Sequence, residues 1–220
     1  MNTLTTYPCS GVVTRVFAEA DDSDARLEEQ RRAIPPNEHA RLMTTTDSYQ
    51  SLYDGLKDFH LAVSRETAKL LYMLTRSSGA RTIVEFGTSF GVSTLHLAAA
   101  LRDNGGGQLI GTEFEPTKVA QARANLVVAG LDDLVEIRTG DALETLARDL
   151  PQIIDLVLLD GAKGLYPKVL SLLEPRLRPG ALVVADNADW CPQYLACVGS
   201  PTGGYVSVPF AGDVELSMKL

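Results

Sequence analysis

TIVEFGTSFGVSTLHLAAALR, running from Thr82 to Arg102, is the stretch that decides the fold. Thr82 to Phe86 form a short apolar run that predicts a buried strand. Gly87 permits an unusual backbone angle or a close ligand approach, and Gly91 does the same where a helix begins. From Val92 the apolar run predicts a helix to Arg102.

Toward the C-terminus the same unit repeats. Further strands are predicted at Gln108 to Glu113, Val135 to Thr139, Ile154 to Asp160 and Ala181 to Asp186. Helices are predicted between them at Pro116 to Ala129, Ala142 to Asp149 and Tyr166 to Leu173. Pro116 suits a first helical turn and Gly130 a C-terminal cap. Short apolar strands alternating with helices predict an α/β fold with a doubly wound parallel sheet. The tail changes character, with two strand patterns, Tyr205 to Phe210 and Val214 to Leu220, flanking Gly212 and Asp213. The second alternates as Val214, Leu216, Met218 and Leu220, which predicts an antiparallel hairpin on one side of the sheet, seven strands in all.

Toward the N-terminus, Ser64 is placed to cap a helix with Thr67 at its third position, and Gly79 is placed to stop it. Further back, helical potential over Ala18 to Ala33 must end at Pro35 and Pro36, and a second helix is predicted from Asn37 to Thr45. With 220 residues the chain suits one hydrophobic core. The expected organisation is a single domain, with residues 1–62 as a helical cover or lid and 63–220 as an α/β core.

A formal net charge of -8 opposes a nonspecific grip on a phosphate backbone. The densest basic group, Arg26, Arg31 and Arg32, is interrupted by Glu28 and Glu29, so nucleic acid is not an expected partner. Cys9, Cys191 and Cys197 contain no CxxC and suggest neither a disulfide framework nor a zinc site. No apolar run reaches the ~18 residues of a membrane span, and the expectation is a soluble, cytoplasmic protein without a membrane partner.

Open parallel sheets bind ligands at the carboxyl ends of their strands. Glu85, Glu113, Asp141, Asp160, Asp186 and Asn187 stand at those ends. The turn after Phe86 is not GxGxxG, which disfavours a nicotinamide dinucleotide, and its exposed amides are suited to a carboxylate. Glu85 would repel a diphosphate but suits an ammonium or sulfonium group. Glu113 is placed to accept ribose hydroxyls, whereas Glu115 also fits the first turn of the next helix. Asp141 fits equally an N-cap or an acceptor for an adenine amino group.

Asp160, Asp186 and Asn187 offer three oxygen ligands beside apolar strands. Such a set suits a hard divalent cation, magnesium first, with manganese or calcium also compatible. The bland alternative is that the two aspartates cap helices. Lys163, three residues after Asp160, is either a surface lysine or a base whose pKa a nearby cation lowers.

VEFGTSFGVST from Val84, GTEFEP from Gly111, LLDGAKGLY from Leu158 and ALVVADNA from Ala181 together resemble the class I S-adenosylmethionine-dependent methyltransferases. More narrowly they resemble the small cation-dependent O-methyltransferases of the catechol and caffeoyl-coenzyme A type, over roughly Leu61 to Asn187. The resemblance implies a Rossmann-like sheet, S-adenosylmethionine as cofactor and a small hydroxylated molecule as substrate. It implies that Val63, Glu85, Gly87, Ser89 and Ser93 surround the methionine part of the cofactor. Glu113 would hold the ribose, Asp141 and Ala142 would border the adenine, and Asp160 would touch both cofactor and metal. Asp160, Asp186 and Asn187 would be the metal ligands and Lys163 the general base, taking a proton so that the substrate oxygen receives the methyl directly. Lids and homodimer contacts are commonly built from N-terminal helices in this architecture, so a homodimer is expected.

One departure is informative. Catechol methyltransferases carry a tryptophan immediately before the catalytic lysine, where this chain has Ala162. A catechol-like or polyhydroxylated substrate leads, and a nonaromatic hydroxyl or an amine of a natural-product intermediate is the alternative. Tyr49, Tyr53, Phe59, Tyr166, Trp190 and Tyr194 are candidates for a rebuilt pocket wall or, equally, for core and lid packing. His96 is expected to pack, and His60 to pack near the cofactor entrance.

Overall fold

The computed structural model describes residues 2–32, 34–35, 44 and 49–220, the side chains of residues 30, 51 and 52 excepted. Apart from Thr44, the helix predicted over Asn37 to Thr45 lies outside them. Strands β1 (Thr82–Phe86), β2 (Gln108–Glu113), β3 (Val135–Thr139), β4 (Ile154–Leu159) and β5 (Leu177–Ala185) form the parallel part of the sheet. Strands β6 (Tyr205–Phe210) and β7 (Val214–Lys219) add the antiparallel hairpin. The order across the sheet is β3-β2-β1-β4-β5-β7-β6.

Successive residues of a strand face opposite ways. Ile83, Leu109, Leu156, Leu158 and Val184 therefore enter one core, and Val84, Ile110, Val157, Leu159 and Val183 enter the other. Both faces are apolar, so both must be covered. Helices α1 (Cys9–Arg32), α3 (Arg65–Ser78), α4 (Val92–Asp103) and α5 (Pro116–Ala129) cover the first. Helices α6 (Ala142–Thr145), α7 (Tyr166–Leu173) and α8 (Pro192–Val198) cover the second, with Tyr49 and Tyr53 of α2 (Tyr49–Gly55) packed at its border.

Local chemistry fixes the helix ends. The Ser64 hydroxyl accepts from the Thr67 amide at 3.0 Å, and Gly79 and Gly130 close α3 and α5 in the left-handed conformation. No helix among the described residues is long and apolar enough to cross a membrane. All three cysteines are free thiols.

Several boundaries differ from expectation. Strand β5 begins at Leu177 rather than Ala181, because a register shift opposite Ile154 to Leu156 accommodates Pro179 and Gly180. Helix α6 stops at Thr145, and α8 was not anticipated. In the hairpin only the start of the alternation is buried: Val214 is 2% exposed, but Met218 and Leu220 are 40% and 63% exposed. Ser217 fills the buried position instead, bonding to Tyr194 and Ser207.

Candidate functional site

The chain progresses outward from β1 to β3 on one side and from β4 to β5 on the other. Helix-bearing connections consequently part between β1 and β4, leaving a crevice at their carboxyl ends. A cavity of about 670 Å³, counted to its open mouth, lies there. Gly87, Ser89, Glu113, Asp141, Ala142 and Asp160 line it, and Tyr49 and Tyr53 reach in from α2. A smaller adjoining cavity is lined by Val63 and Ser93 and shares Gly87, Ser89 and Asp160 with the first. Glu85 borders neither.

Gly87 is required where it stands. Its φ is 97°, and a Cβ there would lie 2.6 Å from the Asp160 carbonyl oxygen. The turn crosses the end of β2, so its amides are engaged within the protein. Gly87 and Thr88 donate to the Thr112 carbonyl, Ser89 to a Glu113 carboxylate oxygen and Gly91 to the Thr88 carbonyl. These four are therefore not the open anion cradle that the glycines suggested. The Ser89 hydroxyl donates to the His60 carbonyl, joining the turn to the segment before α3.

Beneath the turn, the Glu85 carboxyl is 0% exposed and accepts from Ser93 at 2.6 Å, Thr94 at 2.6 Å and Thr88 at 2.9 Å. Burial pushes its pKa up to about 7 even against those three hydroxyl donors. Its immediate work is to tie β1 to α4.

Both oxygens of Glu113 are held by backbone amides, from Ser89 at 2.8 Å and Glu115 at 2.9 Å. Such a carboxylate is fixed in orientation at the cavity wall. Glu115, also on the cavity lining, caps α5 through the Thr117 amide at 3.2 Å. Asp141 is the N-cap of α6, accepting from the Leu143 amide at 2.8 Å, while its other oxygen accepts from the Tyr49 hydroxyl at 2.5 Å. Tyr53 donates to the Gly161 carbonyl at 3.3 Å. The two α2 tyrosines thus bridge to the loops after β3 and β4, a pairing that sequence spacing does not reveal.

Asp160 and Asp186 follow the last residues of β4 and β5, where their amides still bond to Phe86 and Leu159. Their carboxyls are neighbours, and charge on Asp160 opposes ionisation of Asp186. Burial raises both, and Asp186, facing Asp160, reaches about 7. Lys163 is 4% exposed, with Nζ 2.9 Å from Asp160 Oδ1. Burial alone would lower its pKa, but the surrounding acidic groups, Asp160 and Asp186 included, outweigh burial and hold the ammonium protonated. When both carboxyls are ionised they face one ammonium with one negative charge in excess, and that donor chemistry suits an added cation. Asn187 adopts φ 47° and donates its amide N–H to Asp213 at 3.3 Å, which leaves the amide oxygen as an acceptor. Among the described residues no three His, Cys, Asp or Glu side chains gather as a metal cluster, because this set holds two carboxyls and an amide.

Of the aromatic candidates, Tyr49 and Tyr53 line the cavity. Tyr166 and Tyr194 are core residues, packed edge to face at 5.9 Å. His96 bonds the Val92 carbonyl at 2.8 Å and packs on Phe17, whereas the His60 ring stacks on Phe90 at 4.1 Å. Lys118 also lines the large cavity, and nothing in its sequence context signals this.

Residues 84–188 match a methyltransferase-domain family. Over 134 residues the chain is 37% identical to a catechol O-methyltransferase of Niastella koreensis, covering 58% of each chain. It is 35% identical over 127 residues to a catechol O-methyltransferase of Mycobacterium tuberculosis, covering 58% of this chain and 57% of that one. The chain therefore spans well under two thirds of the length of these two relatives. The O-methyltransferase TomG of Streptomyces achromogenes, involved in tomaymycin synthesis and solved in complex with SAM, superposes with a TM-score of 0.64 at 27% identity. That superposition covers 82% of this chain and 93% of TomG.

Proposed function

We propose that the α/β core of this chain is a class I S-adenosylmethionine-dependent methyltransferase domain and that the chain methylates a hydroxyl of a small molecule with S-adenosylmethionine, a reading supported by the matched methyltransferase-domain family and the O-methyltransferase relatives. A divalent cation, magnesium first, would hold that hydroxyl. One observation carries the reading: the buried Asp160 and Asp186 carboxyls, with Lys163 2.9 Å from Asp160, adjoin a cavity that runs on to Glu113 and Asp141.

Asp160, Asp186 and Asn187 would hold the cation. Glu113 would take the ribose hydroxyls, Asp141 and Ala142 would border the adenine, and Val63, Gly87, Ser89 and Ser93 would line the methionine part, with Glu85 beneath them. When bound, the cofactor supplies an electrophilic methyl on a sulfonium leaving group, and the cation a Lewis acid that makes the hydroxyl more acidic. What the chain itself does is orient the partners and receive the proton. Lys163 takes that proton on Nζ, for which it must first be the free amine. Negative charge at Asp160 and Asp186 opposes this, so neutralising that charge is the condition for base action. Residues 1–62 serve as the cover, 63–220 as the core of one domain, and a homodimer is the assembly.

Two adjacent oxygens chelate one ion, which favours a catechol-like acceptor, as do the names of the two relatives. The small Gly161 and Ala162 on the cavity wall favour a second reading, a bulkier nonaromatic hydroxyl or an amine. Mass spectrometry of a panel of dihydroxyaromatic, aliphatic and amine acceptors tests both. O-methylated product should form, vanish on chelation and return with magnesium. Transfer indifferent to chelators removes the cation, and transfer confined to amines replaces the first reading with the second.

A further inference from the structure

Lys118 stands in the first turn of α5, where several influences oppose an ammonium. It is 3% exposed, so little of its charge reaches water. The helix N-terminus carries the positive end of the backbone dipole. Among the described residues its ammonium makes no ion pair or hydrogen bond, and it lies over the Phe90 ring, 5.5 Å from Nζ to the centroid. Burial lowers its pKa, with Glu113, Glu115 and Asp58 opposing that from a distance.

Neither nearby glutamate closes on it. Glu113 is held by the Ser89 and Glu115 amides, and Glu115 by the Thr117 amide and hydroxyl. Lys118 and Glu113 nevertheless line one cavity. A carboxylate only accepts and an ammonium only donates, so a ligand hydroxyl, which does both through one oxygen, can serve the two at once. We propose that Lys118 is a specificity-determining residue for the ribose of the nucleoside cofactor, donating to a hydroxyl oxygen whose own proton goes to Glu113. This rests on the methyltransferase reading above. A buried, unpaired lysine at this point destabilises the free fold and is offset when the diol arrives.

Calorimetric titration of S-adenosylhomocysteine and of its 2′,3′-dideoxyribose analogue into wild type, Lys118→Met and Lys118→Arg tests the assignment. Lys118→Met should weaken S-adenosylhomocysteine about ten- to a hundredfold, the usual range for a hydrogen bond to a charged group. The dideoxy analogue should be bound equally by both proteins, and Lys118→Arg should recover part of the loss. The melting temperature of ligand-free Lys118→Met should equal or exceed that of wild type, because an apolar chain replaces an unpaired charge. Equal weakening of both ligands, or a lowered melting temperature with unchanged affinity, would assign Lys118 a structural role and overturn the proposal. Unchanged affinity for S-adenosylhomocysteine would overturn it too, leaving the methyltransferase reading intact. Failure of the wild type to bind S-adenosylhomocysteine would instead remove that reading.

Discussion

Glu85 has no exposed surface and three hydroxyl partners, so its ionisation is linked to folding. Its folded pKa of about 7 lies above the ordinary 4.5. Below the lower value both states are protonated and nothing is lost. Between the two the native state binds more protons, so stability falls as pH rises, and the loss is complete above the folded value. The separation corresponds to on the order of 3 kcal/mol. Glu85→Gln removes the titration, and urea denaturation at pH 5 and pH 8 should show wild type losing about that much more than the variant; parallel pH profiles would mean that Glu85 ionises freely. At this scale the sequence was half legible. Acidic residues at strand ends could be located from spacing alone, and of these Glu113, Asp141 and Asp160 line the cavity. The partners of Glu85 could not, because Ser93 and Thr94 meet it only once α4 packs on β1. Lys118 was hidden for the same reason, since burial of a helical lysine is a tertiary property.

Helix α2 is held to the site by two phenols, Tyr49 to Asp141 and Tyr53 to Gly161. Each ordinary hydrogen bond contributes about 1 kcal/mol, so the Tyr49→Phe, Tyr53→Phe double variant should open α2 locally ten- to thirtyfold more often, or about 1.4–2 kcal/mol. Hydrogen exchange should report this as faster amides in α2 with β1 and β4 unchanged; uniform protection would show that packing rather than the phenols holds the helix. Element boundaries followed the sequence closely where caps or glycines mark them, as at Ser64, Gly79, Pro116 and Gly130. They failed where pairing overrides local signals. Pro179 and Gly180 look like breakers, yet the bulge opposite β4 carries β5 through them. The alternation from Val214 to Leu220 identifies the strand but not its burial, since Met218 pairs with Val206 on an exposed face.

Strand order is a property of the whole molecule, because alternation of strand and helix dictates parallel pairing but leaves open which strands become neighbours. The observed order puts β1 between β2 and β4, so the loops after β1, β2, β3 and β4 converge on one cavity. A ligand lodged there would contact both halves of the sheet and would be released when either half unfolds. Binding to the native state alone stabilises it by RT ln(1 + [L]/Kd), about 2.7 kcal/mol at a hundredfold excess over Kd. In a chain of this size each kcal/mol moves the melting temperature by roughly 2–4 °C. S-adenosylhomocysteine at that excess should therefore raise the melting temperature in a scanning measurement by about 5–10 °C. NAD at the same concentration should leave it unmoved, since a dinucleotide would bring its diphosphate to a turn whose amides are already engaged and beneath which Glu85 is buried. An equal shift with NAD, or none with S-adenosylhomocysteine, would mean that the convergence of these loops does not select a sulfonium nucleoside.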